Sequence, residues 1–492
     1  MIQEWRIPNR HVIARWNPLS IANSLGELSS TKHSDIKVDS TQSHNDARLR
    51  WNLDKNIFTA IDFVSSAFLH GDMSEVQDAR SLIQKSVNER IDIPILVRKL
   101  LVVDEEDSLF SQPYGQRAEI AKMKKHLIKY PRDCVRWAEL AWHYLLQGQL
   151  NRAERALLVA YGLNPNNRYI IRSITRLYVH LKELDKALRY ASISDVVEFD
   201  PWTISNQIAV SNILGRPSKF IKSGRILLED NSNNPRSLSE LASELGTMDF
   251  ASGNIKRGKR KFVKACESPH ENALAQIFWI SSKDTQTEQK EFEPIGVPYN
   301  YEAKVYSLLS EEPDWNNIFI NVKEWAKYQP FSKTPIMLGS SIAASLLDDY
   351  TSALDILRIG HEINKNDPFI INNYVYTYAL MGDEAKAKEK LALIDIASLR
   401  GQEQIIFKAT RGLIEYRFGN AELGRSLYFK AAELAKKSGD MYLYYSALIH
   451  LAREEKRQGN RIDSLLAEVG KDDKYTRAVF LNSYMKKFEL CL

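Results

Sequence analysis

Two arginines four residues apart, Arg172 and Arg176 in "YIIRSITRLYVH", would share one face of a helix. There their guanidinium forks could grip a carboxylate or a phosphate with paired hydrogen bonds. Trp142 and Tyr169 would add aromatic anchors beside them. A second pair, Asn372 and Tyr376, has the same spacing. A third group is the run "KRGKRKFVK", in which Lys256, Arg257, Lys259, Arg260, Lys261 and Lys264 surround Phe262. Six cations on one short helix would neutralise several phosphates, with an affinity that falls steeply with salt. All three patterns bind rather than make or break bonds. Each also has a plainer reading, which the usual fate of such residues favours: Trp142 and the tyrosines pack, the arginines are solvated or pair with neighbours, and the basic run is an outer face.

The linear traces of catalysis are missing. The chain contains no G-x-x-x-x-G-K-[ST], no G-x-G-x-x-G, no H-E-x-x-H and no G-x-S-x-G, and its ten histidines are dispersed. Arg176 with His180, and Gly360–Glu362 with its central histidine, are the nearest approaches to a reactive pair. Both fall on stretches of helical spacing. We therefore expect no catalytic residue, no metal and no cofactor. Cys134, Cys266 and Cys491 are far apart and form no C-x-x-C, which argues against a disulfide framework or a zinc site and fits the cytoplasm. The 67 basic and 62 acidic residues leave a net charge of +5, too little for a global field that would select nucleic acid. The charged opening "MIQEWRIPNR" and the lack of a run of about 18 apolar residues predict neither a secretory leader nor a membrane span.

The elements that must position these residues repeat. At 492 residues with 44% hydrophobic content, the chain is too long for one core and suits several domains or an array. Pro131, Pro165, Pro201, Pro235 and Pro269 are separated by 34, 36, 34 and 34 residues. Between the first two, Trp137, Leu140, Ala141 and Tyr144 fall on one face of a first helix, and Gly148 lets the chain turn. Ala153 and Ala160 then share a face of a second helix and are too small to hold the first helix away. Later copies bring Ile171, Tyr178, Ala187 and Ala191, with Lys182 at the turn in place of glycine; then Leu241, Gly253, Gly258 and Phe262; then Ala353, Gly360, Tyr374, Gly382 and Ala387. The copy after Pro201 matches poorly in its second helix.

This series resembles the tetratricopeptide repeat. The resemblance implies an all-α, helical-repeat, right-handed superhelix whose concave face, lined by first helices, commonly holds a peptide or a partner's helix. The familiar carboxylate clamp of the family uses Lys and Asn where this chain has Ala138 and Trp142, which argues against the chaperone tails that such clamps recognise. The layout expected is an irregular N-terminal arm over 1–55, divergent hairpins forming a cap over 56–130, a first repeat lobe over 131–280, a polar break with bridging helices over 281–334, and a second repeat lobe over 335–492. The function expected is a non-catalytic scaffold or adaptor in a multi-protein complex. Its partner would be a protein, such as an acidic segment with an apolar anchor, held by Trp142, Tyr169, Arg172, Arg176, Asn372 and Tyr376. Two alternatives remain: RNA or DNA binding through the basic helix, and sensing of a peptide in the groove.

Overall fold

The computed structural model describes residues 40–70, 75–88, 113–193, 195–230, 233–281, 300–309, 312–471 and 478–490. Among these the chain is all-α, a helical repeat without strands. The first 39 positions of the expected arm and the polar break at 282–299 lie outside the described residues. The helices fall into two compact units divided after Ile277.

The first unit begins with α1 (Ser40–Leu53), α2 (Ile57–His70) and α3 (Gln77–Asn88). Trp51, Phe63, Val64, Val76 and Ile83 form their shared core, so α1 puts helix into the stretch where irregular chain was expected. Next come α4 (Pro113–Lys129) and four helix pairs: α5 (Cys134–Leu146) with α6 (Leu150–Leu163), α7 (Arg168–His180) with α8 (Leu184–Ile193), α9 (Pro201–Ile213) with α10 (Ile221–Glu229), and α11 (Pro235–Ala251) with α12 (Ile255–Cys266). The division between units falls within α13 (Glu271–Ser281). The second unit contains α14 (Tyr301–Ser307), α15 (Trp315–Tyr328), α16 (Lys333–Ser341), α17 (Tyr350–Ile363), α18 (Pro368–Met381), α19 (Glu384–Leu391), α20 (Gln402–Phe418), α21 (Ala421–Lys437), α22 (Met441–Arg457), α23 (Asp463–Val469) and α24 (Val479–Lys487). A five-residue π segment, Ile342–Leu346, continues α16.

Local chemistry starts and stops each pair. Asp133, Asn167, Asp200 and Asn234 cap the first helices α5, α7, α9 and α11, each accepting a hydrogen bond from a backbone amide of the first turn. Pro201, Pro235 and Pro368 sit in the first turn, where no amide partner is lost. Between helices of a pair the chain passes through a left-handed residue: Gly148 at φ 68°, Lys182 at 62°, Gly215 at 66° and Gly253 at 80°. Lys182 is the substitution that the sequence pattern had flagged, and the turn keeps its shape despite the Cβ.

Small residues set the spacing between helices. Ala153, Ala160, Ala187 and Ala191 are buried against the first helices. In the weakly matching third copy this place is taken by Gly224, against Ile204 and Leu241. It escaped the repeat count because the α9–α10 connection is longer than the α5–α6 turn. Backbone meets backbone where α20 crosses α21: a Cβ on Gly424 would lie 2.6 Å from the Tyr416 amide nitrogen and 2.8 Å from the Gly412 carbonyl oxygen. First helices also touch one another, α5 with α7, α7 with α9 and α9 with α11, and in the second unit α16 with α18 and α18 with α20.

Two outcomes follow for stability. Lys182→Gly should stabilise by up to about 1 kcal/mol, since relief of the left-handed penalty exceeds the entropy that glycine loses. Gly424→Ala should destabilise by roughly 1–3 kcal/mol or more, because the obstructing atoms are backbone and cannot rotate away. Urea unfolding of the two variants beside the parent chain measures both.

Candidate functional site

First helices that pack side by side turn one face of each toward its neighbours, and in the first unit that face is unusually polar. Arg168, Arg172, Asn206, Glu240, Asn272 and Gln276 are all buried on α7, α9, α11 and α13. Their contacts run across the repeats. Arg168 forks onto Asp200, the cap of the next first helix, with Nε at 3.0 Å from one carboxylate oxygen. Arg172, 2% exposed, sends NH2 to the Glu240 carboxylate at 3.0 Å, 68 residues away, and its guanidinium stands 4.4 Å from the centre of the Trp202 ring between them. Glu240 in turn faces His270 Nδ1 at 3.1 Å and accepts from Asn272 Nδ2 at 3.1 Å.

These partners decide the charge state. Burial alone would raise the Glu240 pKa, but Arg172, His270 and Asn272 together more than offset it and hold the carboxyl down at about 2. Glu139 on α5 shows the opposite balance. Its single cation, Arg136 at 3.3 Å, does not offset burial, and the carboxyl is pushed up to about 7. His143, one helical turn on, is lowered to about 4 by burial.

Beside the paired groups lie polar atoms with no hydrogen-bond partner among the described residues. Asn206, one turn after Trp202, and Gln276, one turn after Asn272, are each 1% exposed, and neither carboxamide makes a hydrogen bond with its oxygen or its nitrogen. In the second unit Asn372 on α18 is in the same condition. A buried polar group left unpaired costs about 1–3 kcal/mol, so three complete carboxamides in equivalent settings call for an explanation.

The other residues singled out in the sequence are placed as follows. Trp142 and Tyr169 are buried, and Arg176 is half-buried on α7. Tyr376, one turn after Asn372, is buried with its hydroxyl 3.2 Å from both Ser345 Oγ and Arg453 NH1. The basic run forms α12, with Phe262 packed inward and Lys256, Arg257 and Arg260 exposed. Lys261 and Arg257 turn to Asp249, Lys264 donates to the Leu228 carbonyl, and Lys259 is half-buried. Sequence reasoning missed Glu240, His270 and Asn272. It also missed His450, Arg453 and Tyr484, which meet Tyr376 in the core of the second unit.

The described residues contain no cluster of His, Cys, Asp and Glu able to hold a metal, and no helix long and apolar enough to cross a membrane. Cys134 and Cys266 are thiols, and burial pushes the Cys266 pKa up to about 12.

No family model and no curated protein matches the chain. Among solved structures it is similar to the crystal structure of the yeast Tom70, at 14% identity over 92% of this chain and 96% of that one, with a TM-score of 0.31. It is also similar to a chain in the structure of Naa15/Naa10 bound to HypK-THB, at 14% identity over 91% of this chain and 81% of that one, with a TM-score of 0.23. Both superpositions are loose, and the architecture rests on the helix pairs themselves.

The depressed Glu240 pKa ties stability to acid. Its ionised form stabilises the native state above the ordinary carboxyl value of 4.5, and that contribution is lost as pH falls toward 2. Glu240→Gln should cost about 3–5 kcal/mol at neutral pH, because Arg172 keeps its charge and loses its counter-ion. It should also flatten the decline between about pH 5 and pH 2 by about 3 kcal/mol. Thermal unfolding followed by circular dichroism across that range reads both effects.

Proposed function

We propose that the chain is a non-catalytic scaffold that holds protein partners along its first helices, as part of a larger complex in the cytoplasm. The observation that supports this reading is the set of three buried carboxamides, Asn206, Gln276 and Asn372, with no hydrogen-bond partner. A carboxamide offers one donor group and one acceptor, the complement of a peptide unit. An extended segment laid across the first helices would satisfy these groups and relieve the cost at which the fold now keeps them. Because all three are buried, binding on this reading is accompanied by opening of the face that carries them. Each unit would take its own segment, and near Arg176 the segment is acidic, with an apolar side chain that replaces packing around Trp142 and Tyr169. Arg172 contributes indirectly: paired with Glu240, it fixes the spacing of α7 and α11.

The test separates binding from stability. Affinity capture of the full chain identifies the partner, and its binding is then measured with the isosteric variants Asn206→Leu, Gln276→Met and Asn372→Leu. Replacing an unpaired buried amide with an apolar group of the same shape should leave stability unchanged or raised. Partner affinity should nevertheless fall about tenfold for each group that binds backbone, and Arg176→Glu should weaken it further. Unchanged affinity in stable variants removes the proposal. Retention on RNA that disappears in Lys256→Glu with Arg260→Glu would favour the nucleic-acid reading instead.

A further inference from the structure

The second unit carries an open cavity of about 560 Å³ lined by the π segment, α17, α18, α20, α22 and α24. Five cations line it: Arg417, Arg453, Lys456, Arg457 and Lys487. Two of them make a fixed floor. Arg417 forks onto Glu454 with both hydrogen bonds at 2.9 Å and spends its remaining nitrogen on the carbonyls of Ala379 and Leu380 at 3.0 and 3.3 Å. Arg453, only 4% exposed, donates to the same carboxylate at 2.6 Å and to the hydroxyls of Tyr376 and Tyr484. Two guanidinium groups thus share one carboxylate, which leaves a positive charge at the base.

The rim is held differently. Lys487 pairs with Asp348 at 2.7 Å and donates to the Ser345 carbonyl at 3.1 Å. Lys456 pairs with Glu489 at 3.2 Å and donates to the Phe488 carbonyl at 3.1 Å. Asp348 and Glu489 both sit at left-handed φ, 55° and 48°, and among the described non-glycine residues only Lys182 shares that conformation. Each closes a helix end, the Asp349 amide bonding back to the Ala343 carbonyl and the Leu490 amide to the Met485 carbonyl, which fixes both carboxylates at the rim. Arg457 is exposed and makes no side-chain contact with a described partner. Among the described residues, five cations face three carboxylates, Glu454, Asp348 and Glu489, an excess of two positive charges. Tyr350, Leu380 and Phe488 supply an apolar wall.

We propose that this cavity binds a small molecule bearing a phosphate group. Its volume falls in the range of small-molecule pockets. A phosphate monoester carries a charge close to −2, which matches the excess, and three terminal oxygens to receive several donors at once. The phosphate takes Arg457 and draws Lys456 and Lys487 from Glu489 and Asp348, while the body of the ligand lies against Tyr350 and Phe488. Asp348 and Glu489 are placeholders that keep the lysines at the rim when no ligand is bound. This site is independent of the carboxamides on the first helices and is read separately.

Isothermal titration of the full chain with AMP, adenosine and pyrophosphate tests the proposal, beside unfolding curves for every variant. AMP and pyrophosphate should saturate, adenosine should not, and affinity should fall as salt rises from about 50 to about 200 mM. Arg457→Glu, a change on an exposed side chain, should weaken AMP at least tenfold, whereas Arg260→Glu on α12 should leave it unchanged. Asp348→Asn with Glu489→Gln should tighten AMP severalfold, an effect that a purely structural role for those pairs would not produce. Adenosine binding as well as AMP, unchanged affinity in Arg457→Glu, or no saturation by either phosphate compound at millimolar concentration would each overturn it. Tighter binding of succinate than of AMP would overturn it too, in favour of a dicarboxylate.

Discussion

Backbone meeting backbone at helix crossings is the constraint from which the rest of this molecule follows. At α20 and α21 Gly424 leaves no space for a Cβ against backbone and Gly412 leaves little, while along the first unit the small residues Ala153, Ala187, Gly224 and Gly258 let second helices pack closely on first helices. Close approach within a pair goes with contact between successive first helices in the array. A solvent-facing row in a looser stack then becomes an interior one, and every polar side chain on it must find a partner or bear the cost of going without.

That demand explains the reach of the contacts. Arg172 crosses over Trp202 to reach Glu240, two repeats on. Repeat proteins are usually treated as sums of units and nearest-neighbour interfaces. A buried ion pair that skips a repeat adds coupling beyond that description, so the α7 to α11 block should unfold as one piece. Leaving either charge alone in such surroundings costs about 3–5 kcal/mol, far more than an exposed pair such as Arg216 with Asp185 can return.

Much of this fold was legible in the sequence, for a physical reason: close crossings need small residues at fixed steps and turns need a left-handed residue, and both leave marks in a linear chain. The marks were misread where a connection changed length, as before Gly224, and a more constant signal was available in the helix caps Asp133, Asn167, Asp200 and Asn234. The sites were less legible. Arg172 and Arg176 stand out locally, but Glu240, which sets what Arg172 does, is 68 residues away and nothing in its own neighbourhood announces the pairing. Likewise Arg453 and Arg457 show the i, i+4 spacing of a binding pair, yet Arg417 and Lys487 join them only through packing of three helices.

The same architecture therefore reaches two electrostatic ends. In the first unit Arg168 and Arg172 each have a carboxylate of their own, Asp200 and Glu240. In the second, Arg417 and Arg453 converge on the single carboxylate of Glu454, whose pKa is lowered because burial is outweighed by the two guanidinium groups. A surplus cation beneath a cavity cannot be neutralised by rearranging those three side chains; only lining carboxylates or an incoming anion can do it. Asp348 and Glu489 stand at the rim in a conformation that side chains ordinarily avoid. Both follow a helix end, where the Asp349 amide bonds back to the Ala343 carbonyl and the Leu490 amide to the Met485 carbonyl, so the turns that close the two helices also set the rim carboxylates beside Lys487 and Lys456.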